Sequence, residues 1–426
     1  MIKMNLQFKN KKVLCFGTSP GQRKQCFLQE ATINGGIEFT ILKFPGETYL
    51  VDYPFRTVEV SWDNLEKDLG CLTGEIFDSA VTYDEMHVLN LSDCVNYLQL
   101  KRRPLSKEIA LKCRDKREMK KTFFEHQIPT AEFGFWSTKS ELEKKVSHLG
   151  LCGRDYVLKP ALGAASAGVL HVHSNETVEL ALIKFEELCR EGAKKAGYLP
   201  IVEPPFIVER YIDRFGIPVE LAVDGYVANS SVVAVMVSEK IDMVRSGLFL
   251  ENKYVTPPLS DFVTRDLQRI EDIAKRAVGT LGINDSVYHL EMRYDNNDLK
   301  VLEVGSRPGG GLISESCEIT TSVNLREQHL CLSLGLEPQL SIKRNNSTCF
   351  GTVYYQEGFD VDNLGRAIEH LNQVNAFCEF RADPQSRKHI LHDWLIAFGV
   401  TGRDSKDSYK RFYHAQEKVY HILRHG

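Results

Sequence analysis

The segment Val287–Val304 restricts the fold more than any other part of the chain. It reads as two alternating strands joined by a tight polar turn centred near Asn297. With the turn there, Glu291 lies opposite Glu303, and the alternation places His289 on the same face as Glu291. Two carboxylates at roughly 5 Å repel each other unless a cation lies between them. The hairpin therefore predicts a magnesium site, with a solvated, charged strand face as the alternative.

A glycine-rich bend, Gly305–Gly311, follows the second of these strands directly and carries Arg307. Glycines let the backbone approach a ligand closely, and a guanidinium at such a bend can clamp a carboxylate or stabilise an oxyanion. By itself the bend is equally typical of a surface turn with a spare arginine. The position of Arg307 just after Glu303 favours a role at the same site.

A second glycine-rich turn lies between two predicted strands in the first half of the chain. Tyr156–Lys159 predicts a strand that ends in a lysine, Val169–Val172 predicts the next, and Ala161–Gly168 joins them. This strand–turn–strand order differs from the strand–turn–helix of a P-loop, and no Gly-x-x-x-x-Gly-Lys-Ser/Thr motif occurs. The sequence therefore excludes the ordinary P-loop classes. The Gly17–Gly21 turn lacks the third glycine of a dinucleotide site, so we interpret it as a tight strand-to-helix turn.

Composition excludes several classes of protein. The 426 residues are far more than a small stapled scaffold needs, and 53 lysines and arginines nearly balance 57 acidic residues. No global field therefore favours nucleic acid or an anionic membrane. The 11 cysteines are scattered and contain no pair at two-residue separation, which predicts reduced thiols. No secretory signal or spanning segment is evident, so we expect a cytoplasmic protein.

The ordered set of charged motifs resembles the ATP-grasp superfamily over about residues 1–340. Within it, His289-Leu-Glu291 followed by Glu303-Val-Gly-Ser-Arg-Pro-Gly-Gly-Gly311 is most similar to the L-amino acid ligases, which are dipeptide synthetases. The resemblance implies an α/β (α+β) ATP-grasp fold. It implies a pre-ATP-grasp α/β domain at 1–112, an ATP-grasp region at 113–340 with a lid at about 125–212, and a C-terminal subdomain at 341–426. One departure is Gly305, where many relatives carry an asparagine that contributes to the second metal site.

The resemblance also implies a role for each motif. Glu291 and Glu303 would hold Mg²⁺, with Mn²⁺ as an alternative, and Arg307 would stabilise the oxyanion. His289 would position the amine or carboxylate, or it would be a satisfied strand histidine. The residues expected to bind ATP are Lys116, Lys159, Gly163, Ser166, Ala167, Glu209, Tyr211, Ile212 and, for the ribose, Glu220.

The implied reaction begins with transfer of the γ-phosphoryl group of ATP to a substrate carboxylate. An amine then attacks the acylphosphate, and an amide, ADP and phosphate result. No side-chain nucleophile is required, which agrees with the lack of a convincing Ser-His-Asp or Cys-His set. The glycine-rich turn at 163–168 is expected to act as a lid that excludes water.

Two other functions remain open at this stage. A carboxylase of the biotin-carboxylase kind would use the same ATP apparatus on bicarbonate, although the chain has no Met-Lys-Met biotin-attachment motif. A non-catalytic ATP-binding scaffold would not need both glutamates, both lysines and Arg307. We expect the substrates to be small molecules, namely amino acids, and we expect no nucleic-acid or membrane partner. Whether the protein forms a homodimer, and which amino acids it joins, stays open.

Overall fold

Three β-sheets organise the chain in a computed structural model. The structure describes residues 8–17, 22–43, 55–61, 64–100, 102, 105–163, 166–196, 203–241, 253–338, 341–380 and 394–426. The Gly17–Gly21 turn lies mostly outside the described residues, as do residues 164–165 of the glycine-rich turn. None of the described helices is long and apolar enough to cross a membrane. All eleven cysteines are free thiols, as the sequence predicts.

A four-stranded parallel sheet forms the N-terminal part. Its strands lie in the order β3 (Arg56–Glu59), β2 (Glu38–Lys43), β1 (Lys12–Phe16) and β4 (Ser79–Thr82), and helix α1 (Gln22–Gly35) connects β1 to β2. This confirms the α/β alternation predicted for the start of the chain. The elements are β1 (Lys12–Phe16), α1 (Gln22–Gly35), β2 (Glu38–Lys43), β3 (Arg56–Glu59), α2 (Leu65–Leu69), β4 (Ser79–Thr82) and α3 (Val88–Tyr97).

Two short helices lead into a second, antiparallel sheet of order β5-β8-β6-β7. Asp115 caps the second helix, because its side chain accepts a hydrogen bond from the Arg117 amide. The elements are α4 (Lys107–Arg114), α5 (Lys116–Glu125), β5 (Phe133–Trp136), α6 (Lys139–His148), β6 (Tyr156–Lys159), β7 (Leu170–Val172), α7 (Val178–Ala196) and β8 (Phe206–Arg210). The short strand β7 forms one edge of this sheet.

The largest sheet has eight antiparallel strands in the order β13-β12-β9-β10-β11-β14-β16-β15. Strand β14 pairs with β11, so the C-terminal strands extend the same sheet. The elements are β9 (Glu220–Ala228), β10 (Ser231–Ile241), β11 (Lys253–Thr256), α8 (Asp261–Arg265), α9 (Leu267–Leu281), β12 (Ser286–Asp295), β13 (Asp298–Gly305), α10 (Ile313–Thr321), α11 (Leu325–Leu334), β14 (Ser347–Tyr354), α12 (Leu364–Gln373), β15 (Phe377–Phe380), β16 (Trp394–Gly402) and α13 (Ser405–His425).

The amphipathic pattern of the sequence over Asp261–Gly282 predicts a single helix, but the structure interrupts it at Asp266. The Asp266 amide caps α8, and its carbonyl accepts from Ile270 at the start of α9. Its side chain accepts a hydrogen bond from the Tyr294 hydroxyl at 3.0 Å. Beyond the break, α9 buries an apolar face that includes Ile270, Ala274 and Ala277 against β12 and β13. Helix α9 therefore covers one face of the β12–β13 hairpin.

Candidate active site

The two glutamates of the hairpin are direct cross-strand partners. Glu291 on β12 pairs with Glu303 on β13, and the turn joins Asp295 to Asp298. A register shift follows Glu291, so that Met292 pairs with Val301 and Leu302 is bulged out of the ladder. The strand register expected from the sequence is therefore correct at the two carboxylates.

A lysine stands beside each of these carboxylates. Lys240 of β10 pairs with Glu291, and the Nζ atom of Lys116 lies 3.1 Å from a Glu303 carboxylate oxygen. Although burial opposes ionisation, the nearby Lys240 and His289 hold the pKa of Glu291 well below its usual range. Lys116 lowers the pKa of Glu303 in the same way, against the effects of burial and of Glu291. Both groups are therefore anionic oxygen donors at neutral pH.

Lys240 also connects the hairpin to the ribose candidate. Its Nζ atom lies 2.6 Å from one carboxylate oxygen of Glu220, and Arg293 Nε lies 2.6 Å from the other. All three side chains are at least 95% buried. Since removing one partner of such a buried set leaves an uncompensated charge, Glu220 has a fixed position in this network.

His289 is held by acidic groups on both sides of its ring. Its Nδ1 atom lies 2.8 Å from Asp224 Oδ1, and its Nε2 atom lies 3.5 Å from Glu291. Burial alone would lower the pKa of His289, but the two carboxylates raise it to about 10. The ring is therefore a cation at neutral pH and lies between Asp224 and Glu291.

Lys116 joins the hairpin to the glycine-rich turn. Besides its contact with Glu303, it donates a hydrogen bond to the Gly163 carbonyl at 2.9 Å, and Arg114 donates to the same oxygen at 3.2 Å. A Cβ atom at Gly163 would lie 2.9 Å from the Pro160 ring and 3.0 Å from the Ala167 carbonyl. Only glycine fits this bend. Ser166 has a φ angle of +57°, so the turn is tight where the described residues resume.

Lys159 and Glu209 face each other across strands β6 and β8. Lys159 Nζ donates to Glu209 at 3.0 Å, and the buried Lys120 approaches the other carboxylate oxygen at 3.3 Å. Lys120 also donates to Thr130 Oγ1 at 2.6 Å. Burial would raise the pKa of Glu209, but the two lysines lower it to about 2. Burial also lowers the pKa of Lys120 to about 8.

Tyr211 and Ile212 follow β8 at the end of the same sheet. The Tyr211 ring stacks on His171 of β7, with centroids 4.0 Å apart and an interplanar angle of 7°. The Tyr211 amide donates to the Asp155 carbonyl at 3.3 Å, and Ile212 is buried. The backbone is thus fixed where the sequence predicts an adenine contact.

Arg307 forms an ion pair with the N-terminal part of the chain. Its Nε atom lies 2.8 Å from Glu85, and its Nη1 donates to the Pro308 carbonyl at 2.7 Å. Among the described residues, none forms a hydrogen bond with Nη2, and this edge of the guanidinium is available to a ligand. A Cβ atom at Gly305 would lie 2.7 Å from the same Glu85 carboxylate. Packing against Glu85 therefore requires glycine at 305.

The predicted residues fall into two groups. Around the hairpin are Glu291, Glu303, His289, Lys116, Glu220, Gly163 and Arg307. On or just after the strands of the sheet β5-β8-β6-β7, which we call the lid-like sheet, are Lys159, Glu209, Tyr211 and Ile212. Ser166 and Ala167 lie on the turn between them, without a side-chain contact to either group among the described residues.

Sequence reasoning missed four charged residues. Lys120 lies four residues after Lys116 on the buried face of α5, and Asp224 is a charged residue within an apolar strand. The local sequence pattern could therefore have indicated both as candidate site residues. Lys240 and Glu85 had none, because their partners are distant in the chain.

Comparisons with known proteins agree with this fold. Residues 153–316 match a family model described as an ATP-grasp domain. The chain is similar to a solved L-amino acid ligase from Bacillus licheniformis, with a TM-score of 0.73 and 18% identity over 96% of this chain and 98% of that chain. No curated protein sequence matches it.

Two other similar structures are synthetases of a different kind. N5-carboxyaminoimidazole synthetase from Staphylococcus aureus, complexed with ADP, has a TM-score of 0.73 and 15% identity over 97% of this chain and 99% of that chain. Carboxyaminoimidazole ribonucleotide synthase from Aspergillus clavatus, complexed with ATP, has a TM-score of 0.73 and 16% identity over 97% and 99%. The chain thus has the ATP-grasp fold, and the resemblance predicted from the sequence is confirmed. The predicted enzyme class, an ATP-dependent ligase, agrees with these neighbours.

Proposed function

We propose that this protein joins a carboxylate to an amine at the expense of ATP, and that it forms a dipeptide from L-amino acids. One observation carries the proposal: Lys116 contacts both Glu303 of the hairpin and the Gly163 carbonyl of the glycine-rich turn. A cation at this junction lies between the carboxylate pair and the turn that would cover the phosphates. Phosphoryl transfer depends on cations and metal-binding carboxylates positioned around the phosphates.

The nucleotide would lie between the lid-like sheet and the hairpin. Lys116 and Lys159 would neutralise phosphate charge, and the turn at Gly163, Ser166 and Ala167 would donate amides to it. The backbone at Tyr211 and Ile212 would meet the adenine edge. Glu209 would act mainly by holding Lys159, since its carboxylate is engaged by two lysines. Glu220 stays the ribose candidate.

The hairpin carboxylates fit a magnesium ion by their chemistry. Both are anionic oxygen donors, and Lys116 and Lys240 stand as positive partners beside them. When bound by Glu291 and Glu303, Mg²⁺ would offset charge on the transferred phosphoryl group. Gly305 supplies no oxygen side chain, because Glu85 fills that space. A second magnesium would therefore depend on water or on bidentate binding by Glu303.

The chain's own residues account for the second step. Arg307 is held by Glu85 through Nε, and its Nη2 edge would face the substrate. This edge would bind the substrate carboxylate and then the oxyanion formed as the amine attacks the acylphosphate. Cationic His289 would keep Glu291 in place while the phosphoryl group moves.

The test is an ADP-release screen over all pairs of L-amino acids, with product masses measured. We expect ADP release to require a free carboxylate, and the stable product to be an amide that also requires an amine. ADP release that depends on bicarbonate and biotin would support the carboxylase alternative. ATP binding without ADP release from any pair would support the scaffold.

A further inference from the structure

A cluster of two histidines and an aspartate lies on the outer edge of the lid-like sheet. His171 and His173 alternate along and just beyond β7, and Asp155 precedes β6. His171 Nε2 lies 2.8 Å from Asp155 Oδ2, and His173 Nδ1 lies 3.5 Å from the same oxygen. Among the described residues, this is the only group of three such side chains whose ligand atoms all lie within 4.8 Å of one another.

We propose that Asp155, His171 and His173 bind a zinc-class transition-metal ion. Two imidazole nitrogens and one carboxylate oxygen are ligands that zinc takes, whereas magnesium prefers oxygen donors alone. In a tetrahedral zinc site with bonds of about 2.0–2.1 Å, neighbouring ligand atoms are about 3.3 Å apart. The two separations that include Asp155, 2.8 and 3.5 Å, bracket that value, and the two histidine ligand atoms lie within 4.8 Å of each other. Small side-chain rotations would suffice.

The surroundings of the cluster orient its ligands. The Ser174 amide donates to Asp155 Oδ1 at 2.9 Å, which turns Oδ2 toward the two rings. Stacking on Tyr211 fixes the plane of His171. His173 keeps 48% of its side-chain surface exposed, which leaves an entry path and room for water as a fourth ligand.

The site would fasten the edge of the sheet. Strand β7 has three residues, pairs only with β6 among the described strands, and directly follows the glycine-rich turn. A metal shared by Asp155 and both histidines would cross-link the start of β6 to the end of β7. It would also stabilise His171 against Tyr211. The role is structural and does not depend on the proposed ligase activity.

The test uses full-length, tag-free protein that has been stripped with a chelator. Zn²⁺ is titrated in competition with a chromophoric chelator, and Co²⁺ is titrated with its visible absorption as the readout. We expect one tight equivalent in the wild type and binding more than about tenfold weaker in His173→Asn and in Asp155→Asn. Because His173 is half-exposed, its substitution should leave the fold intact, as checked by thermal melting.

His421→Asn is the matched control, because His421 and His425 form another histidine pair, on α13, with ring centroids 5.1 Å apart. The control should bind like the wild type. Hydrogen exchange of residues 166–172 should slow with Zn²⁺ in the wild type and not in His173→Asn. The absence of a tight site, equal binding in the wild type and His173→Asn, or loss of binding in His421→Asn would overturn the proposal.

Discussion

The hairpin carboxylates and the lysine–glutamate cluster of the lid-like sheet are both compact sets of charges, but they are assembled differently. Glu291 and Glu303 belong to adjacent strands joined by a tight turn, so local register fixes their distance. Glu209, Lys120 and Lys159 come from β8, α5 and β6, so packing between separate elements brings them together. The register of two adjacent strands can be predicted from the sequence and is hard to disturb. The cluster of Glu209, Lys120 and Lys159, in contrast, depends on the packing of the whole fold.

The hairpin should be the most sensitive part of the site. We expect Glu291→Gln and Glu303→Gln each to lower turnover by about a hundredfold or more, because each removes a carboxylate that would hold the metal. The double variant should be little worse than either single variant, since both residues serve one site. Glu143→Gln, on the exposed side of α6, is the control. Near-normal turnover in both single variants would refute the metal assignment.

A substitution of Arg307 should distinguish the chemical step at the hairpin from nucleotide binding. Lysine keeps the charge but loses the planar fork that contacts Glu85 and the Pro308 carbonyl together. We expect Arg307→Lys to slow amide formation by roughly a hundredfold or more with little change in the Kd for ATP. Rapid-quench kinetics and equilibrium nucleotide binding measure the two effects. An equal loss in both would assign Arg307 to the phosphates.

The cluster of Glu209, Lys120 and Lys159 should make a pH-dependent contribution to the free energy of unfolding. The pKa of Glu209 is about 2 in the folded protein and near 4.5 in the unfolded chain. The unfolded state therefore binds more protons between these values, and stability falls as the pH drops through this window. The contribution is about 3 kcal/mol above pH 4.5.

Urea unfolding of the wild type and Glu209→Gln measures this contribution. The free-energy difference between the two should be largest at pH 5–7 and should shrink toward pH 2. Glu143→Gln should follow the wild type at every pH. A difference that does not vary with pH would mean that Glu209 stabilises the sheet by packing and not through its charge.

Nucleotide should have its smallest effect on the hairpin and a modest effect on the glycine-rich turn. Hydrogen exchange at 166–172 should slow by about tenfold with a non-hydrolysable ATP analogue, because the ligand orders a segment with few anchoring side chains. Exchange in β12 and β13 should not change, since their ladder already exists without nucleotide. Equal protection of the turn in both states would contradict its role as a lid.

The sequence alone predicted the parts of the site that depend on local pattern. The alternation through β12 and β13 and the strand-ending Lys159 were evident from it, and the glycines at 163 and 305 mark bends that leave no room for a side chain. The helix break at Asp266 was not predicted, because its cause is partly a contact with Tyr294 on another element.

The sequence also did not reveal which residues contact the predicted site residues. Lys240 reaches Glu291 across β9, and Glu85 reaches Arg307 from the N-terminal part. Neither contact produces a recognisable motif, because the paired residues are distant in the sequence. Their roles follow only once the three sheets are assembled.

The central claim is that the substrate carboxylate receives the γ-phosphoryl group before the amine attacks. It is tested by supplying the carboxylate substrate labelled with ¹⁸O in both oxygens and analysing the released phosphate by mass spectrometry. We predict one ¹⁸O atom in each phosphate formed, because the acylphosphate oxygen that bridges carbon and phosphorus leaves with the phosphoryl group. Label found in AMP, or phosphate without label while amide accumulates, would contradict this mechanism.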